Sequence, residues 1–326
     1  MPTPLPKLRN NKPRILRWFP AALLLAAAGG GAFFAMKVWS PASPSPAAEP
    51  GWASPSETVA EGAIAPSPPT LIPASAPNGC RAPAFEAAAR ENARTLNSLT
   101  WSPFGRAENG WAIYETIVAH EIGTACPAGS PGFAQALAEW QKQRRLAGDG
   151  RFTTASFDTL KAEMHARRPY VGVRAKGVCP PPPSADRLAN ATKDEGYGGK
   201  EIQLRVGAMA AYRKMVAEAK RDGGVAADPR HLQIFSGYRS PEYDAARCAR
   251  DNNCDGVVRA TCSPHRTGLA MDLYVGGMRP DSTEDANRLI QSRNPAYRWL
   301  VANAERFGFR NYPFEPWHWE YVQEAP

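Results

Sequence analysis

The sequence predicts an α+β domain over residues 179–326, a small antiparallel sheet with flanking helices. A small all-α three-helix domain, a disordered linker and an N-terminal transmembrane helix precede it. Three observations carry this expectation. Two short apolar segments near the C-terminus alternate with a period of two, the apolar residues around them recur at helical spacing, and the composition changes abruptly near residues 40 and 80.

In chain order, residues 1–17 form a basic segment containing Lys7, Arg9, Lys12, Arg14 and Arg17. An uncharged run of nineteen residues follows, from Trp18 to Met36. As a helix it would be about 28 Å long at ~1.5 Å per residue, close to the thickness of a bilayer. The basic flank stays inside, so residues 18–39 read as an inner-membrane anchor that places the rest of the chain in the periplasm or extracytoplasmic space. A cleaved signal peptide, with secretion, is the competing reading, because Ala26-Ala-Ala28 offers small residues for cleavage. Phe33 and Phe34 prolong the apolar run past that point and favour retention. The topology also accounts for the charge. Six of the formal +8 come from lysines and arginines before Ser40, leaving 8 − 6 = +2 for the rest. The sequence therefore carries no footprint of nucleic-acid binding.

Residues 40–79 are rich in proline, alanine and serine, with ten prolines between Pro41 and Gly79. Such a segment has too little apolar surface to offset the entropy of ordering. Extended at ~3.1 Å per residue, it spans on the order of 120 Å.

Residues 80–178 read as the helical domain. Ile113, Tyr114 and Ile117 predict a helix ending at Gly123. Phe133, Ala136, Leu137 and Trp140 predict a second, and Phe157, Leu160 and Met164 a third. Between the last two, Leu146-Ala-Gly-Asp149-Gly150-Arg-Phe152 predicts a tight Asp-Gly turn with Phe152 returning to the core. Over residues 108–166 this pattern of helix, Trp-Gln, Leu-x-Gly-Asp-Gly-x-Phe and helix resembles the small three-helix peptidoglycan-binding domain. The plain alternative is a helical spacer whose aromatics are only core. His120-Glu121 begins a helical zinc-protease pattern, but Thr124 stands where the second histidine belongs, so this is no site.

In the last domain, after Cys179 and Pro180–Pro183, the residues Ile202, Val206, Met209, Ala210, Met215 and Val216 predict a helix ending near Gly223-Gly224. Leu232–Ser236 predicts a strand ending in a Ser-Gly turn that presents Arg239. After Gly268, the residues Leu269, Met271, Leu273 and Val275 alternate with Ala270, Asp272 and Tyr274 as a strand with one buried face. Tyr297–Phe307 predicts a helix stopped by Gly308. Trp317, Trp319 and Tyr321 alternate with His318, Glu320 and Val322 as another strand, with Glu315 just outside it. Ser263-Pro-His265 lies on a turn before the first of the motif strands. His265, Asp272 and His318 are the donor set of a catalytic zinc site with one open position, and Glu315 is a free carboxylate placed to take a proton from water. Glu320 stays open between a hydrogen-bond partner for His318 and a surface acid.

The motifs Ser-Gly-Tyr-Arg, Ser-x-His-x-x-Gly-x-Ala-x-Asp and Glu-x-Trp-His-x-Glu-Tyr, in this order over roughly residues 200–323, closely resemble the VanY-type D-alanyl-D-alanine carboxypeptidases. The resemblance implies a Zn²⁺ peptidase with His265, Asp272 and His318 as ligands, Glu315 as general base and Arg239 as transition-state stabiliser. It also implies Ser263 and Tyr238 as substrate contacts and peptidoglycan stem peptides as substrate. An endopeptidase or L,D-carboxypeptidase with the same zinc site, and a non-catalytic cell-wall-anchoring protein, are the alternatives. Family members often carry a glutamine shortly after the arginine turn, where this chain reads Pro241-Glu-Tyr-Asp244. The stretch from Cys248 to Cys262 is a second departure.

Six cysteines in an exported chain predict disulfides. Three lie between Cys80 and Cys179 and three between Cys248 and Cys262. Full pairing of two odd groups requires at least one bridge between them. Cys262 as a metal ligand ranks below such a bridge.

Overall fold

The computed structural model describes residues 77–175, 178–254 and 260–326. The basic segment at 1–17, the anchor expected at 18–39 and nearly all of the linker expected at 40–79 lie outside the described residues. Among the described residues, no helix is long and apolar enough to cross a membrane.

The helical segment holds α1 (Glu86–Thr95), the short strands β1 (Thr100–Trp101) and β2 (Glu108–Asn109), then α2 (Glu115–Glu121), α3 (Pro131–Gln143), α4 (Thr154–Ala166) and α5 (Pro169–Ala175). The three helices expected from periodicity correspond to α2, α3 and α4. Their ends follow from local chemistry. Gly123 takes φ +74° after α2, the Ser130 side chain accepts from the Phe133 N–H at the start of α3, and Thr153 accepts from Ser156 at the start of α4. The additional helix α1 turns only small or polar residues inward, Ala88, Ala89, Asn92 and Thr95, so it carries no large apolar stripe.

Phe152 returns to the core as expected and stacks on Trp111 with ring centroids 4.1 Å apart. The turn before it is built on Gly150 at φ +74°, whose N–H donates to Gln141 and whose carbonyl accepts from Asn92. A Cβ at Gly150 would lie 2.3 Å from the Ala134 carbonyl oxygen. Substituting Gly150→Ala therefore adds a backbone clash to a disfavoured φ. It should destabilise the protein by on the order of 2 to 3 kcal/mol, seen as a lower denaturation midpoint. An unchanged midpoint would refute this account of the turn.

The remainder contains β3 (Leu188–Asn190), β4 (Gln203–Arg205), α6 (Val206–Ala219), α7 (Gly223–Ala226), β5 (Ile234–Ser236) and α8 (Pro241–Asp251). It continues with β6 (Ala270–Leu273), α9 (Asp285–Arg293), α10 (Pro295–Asn303), β7 (Phe309–Tyr312) and β8 (Glu315–Tyr321). Two boundaries differ from expectation. Ile202 precedes α6 because Gln203–Arg205 pairs with β3. Gly223-Gly224 opens a helix instead of closing one, since the Asp222 carboxylate accepts from the Gly224 and Val225 N–H groups and caps α7. The expected Tyr297–Phe307 helix is α10 followed by a 3-10 turn over Ala304–Phe307, and Gly308 stops it at φ +83°.

The main sheet is antiparallel with strand order β5-β6-β8-β7. This is the small antiparallel sheet with flanking helices that the sequence predicts. Its faces differ from the expectation of one buried face, because every residue of β6 is buried. On one side Tyr297 of α10 reaches across to Asn311, with its ring 6.4 Å from Trp319. On the other, the side chains of His318 and Glu320 lie beneath Arg168, which comes from the helical segment.

The helical segment and the sheet share one hydrophobic core that runs from Trp101 and Trp111 to Trp317 and Trp319. A buried polar cluster ties them together. Arg288 donates to Glu108 at 2.9 Å, to the Tyr114 hydroxyl at 2.5 Å and to the Phe314 carbonyl at 2.8 Å, while Tyr114 donates to Glu108 at 2.7 Å. Cys80–Cys126, Cys179–Cys262 and Cys248–Cys254 are disulfide-bonded, and Cys179–Cys262 joins the two sequence groups as parity requires.

Candidate metal centre

The sheet register explains how distant residues meet. Asp272 on β6 stands directly opposite His318 on β8 and is also paired with Ser236 on β5. Directly opposed residues project from the same face, with Cβ atoms roughly 5 Å apart. His265 arrives from a 3-10 turn, Pro264–Thr267. Gly268 closes that turn at φ +70°, and a Cβ there would press on Arg205 and Leu188 at 3.2 Å. Arg205 in turn donates to the Thr267 carbonyl at 2.8 Å. Both sides of the turn are therefore pinned.

One donor atom each from His265, Asp272 and His318 lies within 4.8 Å of the others, and all three residues are buried. His265 Nε2 is 3.3 Å from Asp272 Oδ1, and His318 Nδ1 is 2.8 Å from the same oxygen. Two ligands on a tetrahedral zinc at ~2.0–2.1 Å stand about 3.3–3.4 Å apart, so the donors sit at coordination spacing. The remaining ring nitrogens are held as metal-binding histidines require. His265 Nδ1 donates to the Gly237 carbonyl at 2.7 Å, and His318 Nε2 donates to Glu320 at 3.3 Å.

The electrostatics match this arrangement. Burial, together with the Arg239 charge, pushes the His265 pKa down to about 4, which leaves a neutral ring with an available lone pair. Burial alone would lower His318, but its bonds to Asp272 and Glu320 outweigh it and raise the pKa to about 9. An ion held by both His318 and Asp272 would replace the proton they share. Burial alone would raise Asp272, yet the two histidines hold its carboxyl well below the usual range. Glu315 lies with its carboxylate 4.0 Å from His318 Nδ1, and burial raises its pKa to about 7. Contrary to the sequence expectation it is not outside the strand. It opens β8, paired with Tyr312 across a register shift that turns its side chain into the cleft.

These groups line one cleft of about 650 Å³ that also contains Arg239, Ser263, Asp244, Tyr312, His165 and Arg168. Arg239 donates to Asp272 Oδ2 at 3.1 Å and to Ser236 at 3.0 Å, so it grips the carboxylate oxygen that faces away from the histidines. Ser263 lines the cleft and its hydroxyl donates to the buried Asp244. Tyr238 lies beside this cleft in sequence but does not line it. It is half-buried, and alternation after Gly237 sends Arg239 to the cleft and Tyr238 away, toward the Glu242 and Arg266 charges. Cys262 is bonded to Cys179 and supplies no ligand.

Sequence reasoning missed Asp244, which lies within 4 Å of Arg239 and Arg247, and the helix α8 that carries it. Ser240-Pro241, an N-cap followed by proline at the first helical position, was the available signal. Arg168 had no signal at all, since nothing local marks a side chain that acts 152 residues away.

An α+β scaffold with two histidines and an aspartate at coordination spacing, and a partly buried glutamate beside them, defines a candidate metallohydrolase centre. Residues 201–324 match the family described as VanY: D-alanyl-D-alanine carboxypeptidase. A curated D-alanyl-D-alanine carboxypeptidase of Enterococcus faecalis is 32% identical over 152 aligned residues, covering 38% of this chain and 49% of that protein. The chain thus spans about half the length of the curated relative it matches.

Proposed function

We propose that the chain is a zinc-dependent carboxypeptidase that removes the terminal D-alanine of peptidoglycan stem peptides in the cell envelope. The observation that carries this reading is the convergence of His265, Asp272 and His318 with Glu315 at their side. The family match and the name of the E. faecalis relative support the substrate class. Three disulfides suit an oxidising compartment, as expected of an exported domain tethered by residues 18–39.

His265, Asp272 and His318 would hold the ion. Zinc, when bound, supplies Lewis acidity toward the scissile carbonyl and acidifies water toward a pKa of ~7. The protein's own groups do the rest. Glu315, partly buried and with its pKa raised to about 7, accepts the proton of the attacking water and delivers it to the departing amine of D-alanine. Arg239 brings a permanent positive charge to the cleft wall beside Asp272, where oxyanion charge would develop. Ser263 and Asp244 shape the floor of the cleft.

Purified protein should contain about one equivalent of zinc, lose D-alanine release from a pentapeptide stem on chelation and regain it with added zinc. Mass analysis of digested muropeptides reads the bond. Loss of one terminal alanine supports the proposal, while cut cross-links or tetrapeptides shortened by one residue assign the endopeptidase or L,D-carboxypeptidase activity instead. Release indifferent to chelation would overturn the metal role.

A further inference from the structure

Arg168 stands just beyond the C-terminus of α4, in the helical segment, and its side chain is buried. It crosses to β8 and donates from Nε to Glu320 Oε1 at 3.1 Å, with Nη2 on the same oxygen. Its guanidinium lies 4.3 Å from the centre of the Tyr312 ring, which fixes the plane from which it donates. The same Glu320 oxygen accepts from His318 Nε2. One carboxylate oxygen thus links a cation from the helical segment to the far nitrogen of an imidazole whose near nitrogen faces Asp272.

A buried carboxylate keeps its charge and its rotamer only while a counter-charge holds it. Among the described residues, His318 and Arg168 stand within ion-pair distance of Glu320. If Arg168 is removed, the Glu320 carboxylate loses the two N–H donors that fix its rotamer, and the imidazole loses the acceptor that selects its tautomer and ring angle. A second tie runs in parallel. The Tyr170 hydroxyl donates to the Cys262 carbonyl and Cys179 is bonded to Cys262, three residues before His265. The stretch just after α4 therefore touches the supports of both histidines.

We propose that Arg168 is a positioning residue for His318, acting through Glu320, so that the helical segment is a working part of the metal centre and not only an appendage. This rests on the zinc reading above. The test uses the full chain and zinc itself, with affinity measured by competition against a chromogenic chelator. The visible spectrum of the cobalt-substituted protein serves as a second readout.

Arg168→Met should weaken zinc binding by about 10- to 100-fold and alter the cobalt bands, with Arg168→Lys recovering part of both. Glu320→Gln should produce a similar loss, and the double variant should lose little more than either single one. Arg167→Ala, at an exposed neighbour paired with Glu121, should change nothing. Zinc affinity and cobalt bands of wild type in folded Arg168→Met would overturn the proposal. If that variant does not fold, Glu320→Gln decides, and wild-type affinity there overturns it equally. A wild-type protein that binds no zinc would instead remove the reading on which it stands.

Discussion

On the proposed mechanism, Glu315→Gln should leave zinc bound at about one equivalent and lower D-alanine release by roughly 10²- to 10⁴-fold, the range for loss of a positioned general base. The substitution keeps shape and removes only the proton acceptor. Glu315 is not one of the three converging donors, so metal content should not follow activity downward. Its side chain is partly buried in the cleft beside His318, and desolvation raises its pKa to about 7, which suits a proton acceptor better than a surface acid. The check is D-alanine release alongside metal analysis of the same sample. Activity within threefold of wild type at full zinc would remove Glu315 from the chemistry.

Arg288→Met should cost about 3 kcal/mol, because it takes from the buried Glu108 carboxylate its hydrogen-bonded cation and leaves only the looser Arg106 contact at 3.8 Å. For a folded unit of this size the loss corresponds to a melting temperature lower by on the order of 10 °C. The companion Glu108→Gln should return part of that stability in the double variant, because the stranded charge is then gone. Equal melting temperatures for wild type and Arg288→Met would show that the cluster contributes nothing. The variant also removes the donor to the Phe314 carbonyl, one residue before Glu315, so a fall in activity beyond the fall in folded fraction is expected.

Much of this molecule could be read from the sequence where the signal was local. Alternation around Asp272 and His318 marked the two strands, Gly308 marked a helix stop, and the ordered motifs named the three residues that the structure brings together. What stayed hidden depended on long-range pairing. Nothing near Glu320 says whether a cation will meet it, and the partner is Arg168, from a segment expected to be a separate domain. The same holds for Arg288 and Glu108, which are far apart in sequence and would each read as ordinary surface charges. The helix α1 escaped because it packs through alanine and asparagine, and α8 because its buried face offers Asp244 and Cys248 in place of large apolar residues. The orientation of Tyr238 was hidden for a different reason, since a motif position says that a residue is near the site but not to which side it turns.

Asp272 and His318 sit on the inner pair of a four-strand ladder, with β5 and β7 outside them. Separating those two side chains means breaking the most protected hydrogen bonds of the sheet, an opening as costly as global unfolding. Metal-dependent mini-domains such as zinc fingers collapse when stripped. In the proposed centre the strand ladder, and not the ion, would set the spacing of Asp272 and His318, so the polypeptide is expected to fold before it meets its ion and to accept it again after losing it.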